Sequence, residues 1–293
     1  MRKWPVDMGL NIRMILTLVI LGAIYLGFLA VLHWYGVDYF TLIIIAAVML
    51  GAQYFFSDKL VLASTGAKVV SPEQAPELHS IVERLCSISG IPKPRVAIVP
   101  TGVPNAFATG RSQRHSVIAV TKGLMEKLDR DEVEAVLAHE LSHVRNRDVA
   151  VITIASFLST VAYFFVSSFI YGSMYGRDRR NAGGLIIVYI VAFLVYIASL
   201  LLVRLLSRYR ELAADRGSAI ITGRPSTLIS ALLKISGQME RVPKKDLRAS
   251  EGVSQFFIIP ALSKESIMGL FSTHPSLEKR IRQLEQMEKT VGY

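Results

Sequence analysis

Cysteine is almost missing from this chain: Cys86 is the only one in 293 residues. A lone thiol excludes a disulfide framework and a cysteine metal cluster, and it fits a reducing compartment. Cys86 falls within an apolar helical pattern and is expected in a core. Acidic residues are also in short supply, 23 against 33 Lys and Arg, leaving a net charge of +10. Such an excess suits nucleic acid, but here the basic residues are scattered, do not alternate with aromatics along one stripe, and accompany no nucleic-acid motif. Nucleic acid is therefore set aside as a partner, and attraction of Lys and Arg to anionic lipid headgroups is the expected use of the charge. There is no internal repeat and no low-complexity tract.

What is abundant is apolar residue: 52% of the chain is hydrophobic and the mean hydropathy is +0.41. That is too apolar for an ordinary soluble domain. Residues 14–32, 39–56, 149–171 and 183–203 carry no charge and are long enough to span a bilayer, the second being the shortest. The first follows Arg2, Lys3 and Arg13, as a signal peptide would, but its apolar run is long and lacks a convincing small-residue cleavage site. It reads as a retained anchor. The expected organisation is a membrane hairpin over 1–56, a soluble part over 57–148, a second membrane pair over 149–203 and a helical C-terminal part over 204–293.

Within the soluble part, Ser71-Pro72 is placed to open a helix carrying Leu78, Ile81, Val82, Leu85 and Ile88 on one face, with Gly90 to end it. Val96-Ala97-Ile98-Val99, Asn105-Ala106-Phe107-Ala108-Thr109 and Ser116-Val117-Ile118-Ala119-Val120 read as three short strands of a small sheet. Asp129, followed by Asp131 and Glu132, makes a capped acidic start for a further helix with Val133, Val136, Leu137, Leu141 and Val144 at helical spacing. This helix is expected to run straight on into the third membrane segment. A helical region is expected from Pro225, then an irregular stretch over 242–272, then a closing helix with Leu277, Ile281, Leu284 and Met287 on one face.

The capped helix contains His139-Glu140-Leu141-Ser142-His143. Four residues of α-helix advance about 400°, so the two imidazoles stack on one face and can hold one Zn²⁺ through two nitrogens. Glu140 sits beside the first histidine, where its carboxylate can take a proton from an attacking water. A catalytic zinc needs a third protein donor. Glu211-Leu212-Ala213-Ala214-Asp215 offers one, because Glu211 and Asp215 are again four residues apart. Glu211 can complete the donor set while Asp215 accepts a hydrogen bond from the outer nitrogen of a ligand histidine. The competing reading is a solvent-exposed acidic helix face paired with Arg208 or Arg210. Arg147 and Asp148 are candidates for a salt-bridge network with the same arginines. His33, His79 and His115 have no matching partners and read as surface or interfacial residues.

Three motifs in combination, His139 to His143 followed by Asp148, then Arg210-Glu211-x-x-Ala214-Asp215, then Ser272-Thr273-His274-Pro275, resemble the M48 family of membrane zinc metalloproteases. The resemblance covers nearly the whole chain; Ser276 departs from it, where the family often has a second proline. It implies one Zn²⁺ per chain on His139, His143 and Glu211 with Glu140 as base, the same set that the residues suggest by themselves. It also implies His274 as a donor to the oxyanion, against which stands a plainer role as a turn residue before Pro275. Prenyl-protein (CaaX) proteases of the same family have more membrane spans and fit less well. A scaffold with purely structural zinc has no need of Glu140.

The expected architecture is a multi-pass α-helical membrane protein with an α+β zincin-type (gluzincin) metalloprotease domain. The zinc site should hang roughly 10 Å outside the hydrocarbon, given 1.5 Å of rise per residue between each motif and the adjoining membrane segment. The positive charges before the first segment, with Lys59 and Lys68 after the second, place the zinc domain on the cytoplasmic side of the plasma (inner) membrane. Arg177, Arg179 and Arg180 then fall outside, against that rule. Polypeptide substrates, membrane proteins among them, are expected to lie extended along Asn105, Ala106, Phe107 and Ala108. The role implied by the resemblance is membrane-protein quality control.

Overall fold

The computed structural model describes residues 8–34, 38–148, 150–152, 155–157, 159–163, 167, 182–239 and 275–291. The elements run α1 (Met8–Trp34), α2 (Tyr39–Thr65), β1 (Lys68–Val69), α3 (Pro76–Ser89), β2 (Arg95–Val99), β3 (Ala106–Gly110), β4 (Ser116–Thr121), α4 (Lys122–Lys127), α5 (Arg130–Arg145), α6 (Ala182–Thr222), α7 (Pro225–Met239) and α8 (Leu277–Val291). They fall into two compact units, one built from Phe56–Ala150 and Ser207–Tyr293, the other from Met8–Phe55 and Val151–Leu206.

The first unit is organised on a four-stranded sheet of order β1-β2-β4-β3. β2 and β4 are parallel, with Ala97 opposite Ala119, whereas β1 on β2 and β3 on β4 are antiparallel. β3 therefore pairs with β4 alone and forms an edge. Alternation along the strands divides the side chains between two faces. Val96, Ala106, Ala108, Ile118 and Val120 join a core with α3, α5, α7 and α8, while Ala97, Val99, Phe107, Val117 and Ala119 pack on Val61, Leu62 and Ala67. Gly110 closes β3 at φ +134, and a Cβ there would stand 2.3 Å from the His115 carbonyl oxygen, so the turn into β4 requires glycine.

α3 starts at Pro76, not at Pro72: residues 71–75 make a turn in which the Ser71 N–H donates to Gln74 Oε1 at 2.9 Å, and Pro76 takes the first helical turn, where its missing N–H costs nothing. Gly90 ends the helix in the left-handed conformation, as the sequence predicts. The short strand β1 adds a pairing that the sequence does not announce. Cys86 is in the core, and so is His79, whose Nε2 meets the Val70 carbonyl at 3.1 Å; the expected surface role of His79 is wrong. His33 and His115 are exposed.

α5 begins with a complete capping box: the Asp129 carboxylate accepts from the Glu132 N–H at 2.9 Å and Glu132 accepts from the Asp129 N–H at 3.0 Å. It does not run on into the next apolar segment. The helix stops at Arg145, Asn146 caps it, and Arg147 takes φ +56 before Asp148 resumes a helical conformation. Asn146 and Asp148 are weak helix formers, but with no Gly or Pro between the two apolar segments the break does not show in the sequence. Ser218 Oγ donates to the Ala135 carbonyl at 2.7 Å, and Ala214 beside it is fully buried, so α6 lies close against α5.

In the second unit, Leu21, Phe28, Leu32, Ala155, Val161, Ala162, Ala192, Val195 and Leu206 form the interior. Two described helices are long and apolar enough to cross a membrane: Ile12–Trp34, of mean hydropathy 2.7, and Ile186–Thr222, of 2.9. Only 22% and 17% of their apolar windows are buried, unlike the interior helix of a soluble protein, and Ile15, Leu16, Val19 and Leu26 all face outward from α1. The described residues within the apolar stretch 150–163 are helical. Residues 168–181 and 240–274, which contain Arg177, Arg179, Arg180, the expected irregular stretch and His274, lie outside the described residues.

Candidate active site

α5 presents His139 and His143 one turn apart, and α6 brings Glu211 to them. The two Nε2 atoms are 3.2 Å apart, Glu211 Oε2 is 3.6 Å from His139 Nε2, and Glu211 Oε1 is 3.4 Å from His143 Nε2. Ligand bonds of about 2.0–2.1 Å in a tetrahedral zinc site put adjacent donors about 3.3 Å apart. The two imidazole nitrogens stand at that spacing, each has a different oxygen of Glu211 near it, and one donor atom from each of the three residues lies within 4.8 Å of the others, so His139, His143 and Glu211 are the group of metal-capable side chains among the described residues and their chemistry suits zinc. Glu211 and Asp215 are buried, which rules out the exposed acidic face.

Each imidazole spends its outer nitrogen on a carboxylate, leaving Nε2 turned to the common centre. Asp215 Oδ1 lies 2.9 Å from His139 Nδ1, and Asp148 Oδ2 lies 2.7 Å from His143 Nδ1. The break after α5 is what turns Asp148 back onto His143. Arg210 Nε meets Asp148 Oδ1 at 3.0 Å, and Arg280 of α8 grips Asp215 through Nε at 2.8 Å and Nη2 at 2.6 Å. Of the two expected partners for Asp148, Arg210 is the one used. The sequence reading missed Arg280 altogether, although it stands on the apolar stripe of α8, three residues from Leu277 and four from Leu284, where a charge is out of place.

The protonation balance follows from burial and these pairs. Burial opposes charge on both histidines, but the bonds from Asp215 and Glu211 raise His139, and those from Asp148 and Glu211 push His143 up to about 10. Asp148 and Asp215 resist their own burial because Arg210 and Arg280 hold them below the ordinary carboxylate range. Glu140 goes the other way. Burial raises it above a free glutamate, opposed by the neighbouring histidines and by a backbone hydrogen bond from Ala108. A carboxylate raised in this manner is better matched to proton transfer near neutral pH.

Ala108 belongs to β3, so the edge strand passes beside Glu140. Ala106, Phe107 and Ala108 lie on that strand. Asn105 precedes it and is tied to Thr121, whose backbone N–H donates to the Asn105 carbonyl at 2.9 Å.

A metal-capable trio with an adjacent buried glutamate, in a chain bearing outward-facing apolar helices of bilayer length, defines a membrane-bound metalloprotease. The chain belongs to peptidase family M48, whose sequence pattern matches residues 72–288. It is similar to Protease HtpX homolog 2 of Methanosarcina mazei, 57% identical over 292 residues that make up 99% of each chain. It is equally similar to Protease HtpX homolog of Moorella thermoacetica, 57% identical over 293 residues, 99% of this chain and 98% of the other. The segment Pro104-Asn105-Ala106-Phe107-Ala108-Thr109-Gly110 likewise resembles the HtpX heat-shock protease within the family. The crystal structure of S. mikatae Ste24p shares the fold, with a TM-score of 0.57 at 20% identity over 95% of this chain; this chain spans 65% of the length of that one.

Proposed function

We propose that this chain is a zinc-dependent endopeptidase, with His139, His143 and Glu211 as the metal ligands and Glu140 as the general base. The observation that carries the reading is the gathering of two imidazole nitrogens 3.2 Å apart with the Glu211 carboxylate, whose two oxygens lie 3.4 and 3.6 Å from them, beside a buried glutamate. Zinc, when bound there, supplies Lewis acidity toward the scissile carbonyl and makes a water acidic enough to attack at neutral pH. Glu140 takes the proton of the attacking water and returns it to the departing amine. Asp215 and Asp148 keep the imidazoles in the tautomer that offers Nε2 inward. The outer edge of β3 lines up an extended peptide through Asn105, Ala106, Phe107 and Ala108, placing a peptide bond next to Glu140. His274 donates to the developing oxyanion.

The chain crosses the plasma membrane four times, with the zinc domain on the cytoplasmic face, and its substrates are misfolded or damaged membrane proteins. The two outward-facing apolar helices and the early positive charges support this placement. Glu140→Gln in detergent-purified protein should keep zinc content near one per chain while casein cleavage falls by at least about 10³-fold. Loss of the metal from this variant would make Glu140 structural instead. Cleavage confined to prenylated C-terminal peptides would redirect the reading to a CaaX-type protease, and zinc without any cleavage by the unmodified chain to a scaffold.

A further inference from the structure

Behind each of the two histidines stands a carboxylate, and behind each carboxylate stands an arginine. The first chain runs His139–Asp215–Arg280 at 2.9 Å and then 2.6 and 2.8 Å; the second runs His143–Asp148–Arg210 at 2.7 and 3.0 Å. Asp148, Asp215 and Arg280 are at most 1% exposed and Arg210 8%.

A buried carboxylate without a strong partner either protonates or turns toward another donor. Either change would release the imidazole it orients. A guanidinium prevents both, because its planar fork fixes the carboxylate plane as well as its charge. Arg280 does this to Asp215 through two separate nitrogens on two separate oxygens, with Oδ1 shared between Arg280 Nη2 and His139, while its third nitrogen, Nη1, stands farther off, 3.8 Å from Glu211 Oε2. Arg280 arrives on the C-terminal helix, far along the chain from both other motifs. α8 is held on α6 by Gln283, whose Nε2 donates to the Leu212 carbonyl at 2.7 Å, and its buried Leu284 joins the core with α7.

We propose that Arg280 is a positioning residue of the metal centre, acting through Asp215 on His139; Arg210, which meets Asp148 through Nε alone, supplies charge behind His143 without the fork. The C-terminal helix is thereby part of the metal site although it contributes no ligand. This inference rests on the reading of His139, His143 and Glu211 as ligands. A positioning role and a mere counter-charge role predict opposite signs. Removing a cation that only balances charge leaves the pocket more negative, and a dication should bind more tightly. Removing a cation that fixes a carboxylate should weaken the site, by about 10–100-fold for loss of a partner standing behind a ligand.

The test uses the full chain in detergent, with Zn²⁺ affinity measured by chelator competition and ligand geometry by the visible spectrum of the Co²⁺-loaded protein. Arg280→Met should weaken Zn²⁺ by about 10–100-fold and alter the Co²⁺ spectrum. Arg280→Lys, which keeps the charge and loses the fork, should fall between the two. Arg282→Met, on the exposed side of the same helix where Arg282 pairs with Glu278, should match the unmodified protein. Adding Arg280→Met to Asp215→Asn should cost less than twofold further. Unchanged or tighter Zn²⁺ binding in folded Arg280→Met overturns the proposal, as does a Lys variant with full affinity and an unaltered spectrum. Additive losses in the double variant overturn the route through Asp215. Should Arg280→Met fail to fold, Arg280→Lys decides by the same criteria. His139→Ala separates the two levels: if it binds zinc undiminished, the ligand reading itself fails.

Discussion

His143 gathers the opposing forces of the site into one residue. A free histidine titrates near 6.5; here burial is outweighed by Asp148 and Glu211, and the ring is pushed up to about 10. In the metal-free protein the protonated ring therefore contributes stability that is full below about pH 6.5 and is lost as the pH climbs toward 10. Metal binding has the reverse dependence, since the same nitrogen must give up its proton to become a donor. Zinc loading at pH 7 should release about one proton, that of His143, and the affinity should weaken as the pH falls. Calorimetric titration in buffers of different ionisation enthalpy counts it, and a count of zero would remove the protonated His143. Residue types and spacing sufficed to nominate His139, Glu140, His143, Glu211 and Asp215. They nominated Asp148 only as an ion-pair partner of Arg208 or Arg210, not as the carboxylate behind His143, and they did not reach Arg280, because a lone Asp and a lone Arg carry no spacing signal until the chain folds them against a histidine and an aspartate.

At the scale of elements, local patterns were legible where local forces dominate. The capping box of α5 and the glycine stop of α3 rest on interactions within a few residues, and the strands at 95–99, 106–110 and 116–121 show as short apolar runs although their pairing is with each other. The break at Asn146–Arg147 is not local in this sense, since Asn and Asp only weaken a helix and do not by themselves end one. What holds it is Asp148, fully buried between His143 and Arg210. An L side chain in the left-handed conformation costs about 1–2 kcal/mol. Arg147→Gly should therefore raise stability by up to about 1 kcal/mol with zinc affinity unchanged, whereas β-branched Arg147→Val should lower both. Thermal unfolding and chelator competition on the pair check this. An Arg147→Val protein that keeps its zinc affinity would show that the turn does not serve Asp148.

For the whole molecule, the proposed metal joins two stretches of sequence, 139–143 and the helix turn at Glu211, and its removal should be felt as lost cooperativity between them. A ligand present at about 100 times its dissociation constant adds about 2.7 kcal/mol to the folded state. Chelation should accordingly lower the melting temperature of the peptidase unit, and added zinc should restore it. An unfolding transition indifferent to chelator would mean that the three donors are held by packing alone. The sequence by itself determined the apolar class of the chain, the stacked histidines and the carboxylate pair, because each is a matter of composition or of helical periodicity within four residues. The tertiary structure alone decided that β3 is an edge beside Glu140, that Asp148 turns back onto His143, and that a helix from the far C-terminus places Arg280 behind Asp215. Those are contacts between residues many positions apart, set by which faces must be buried together, and no local pattern encodes them.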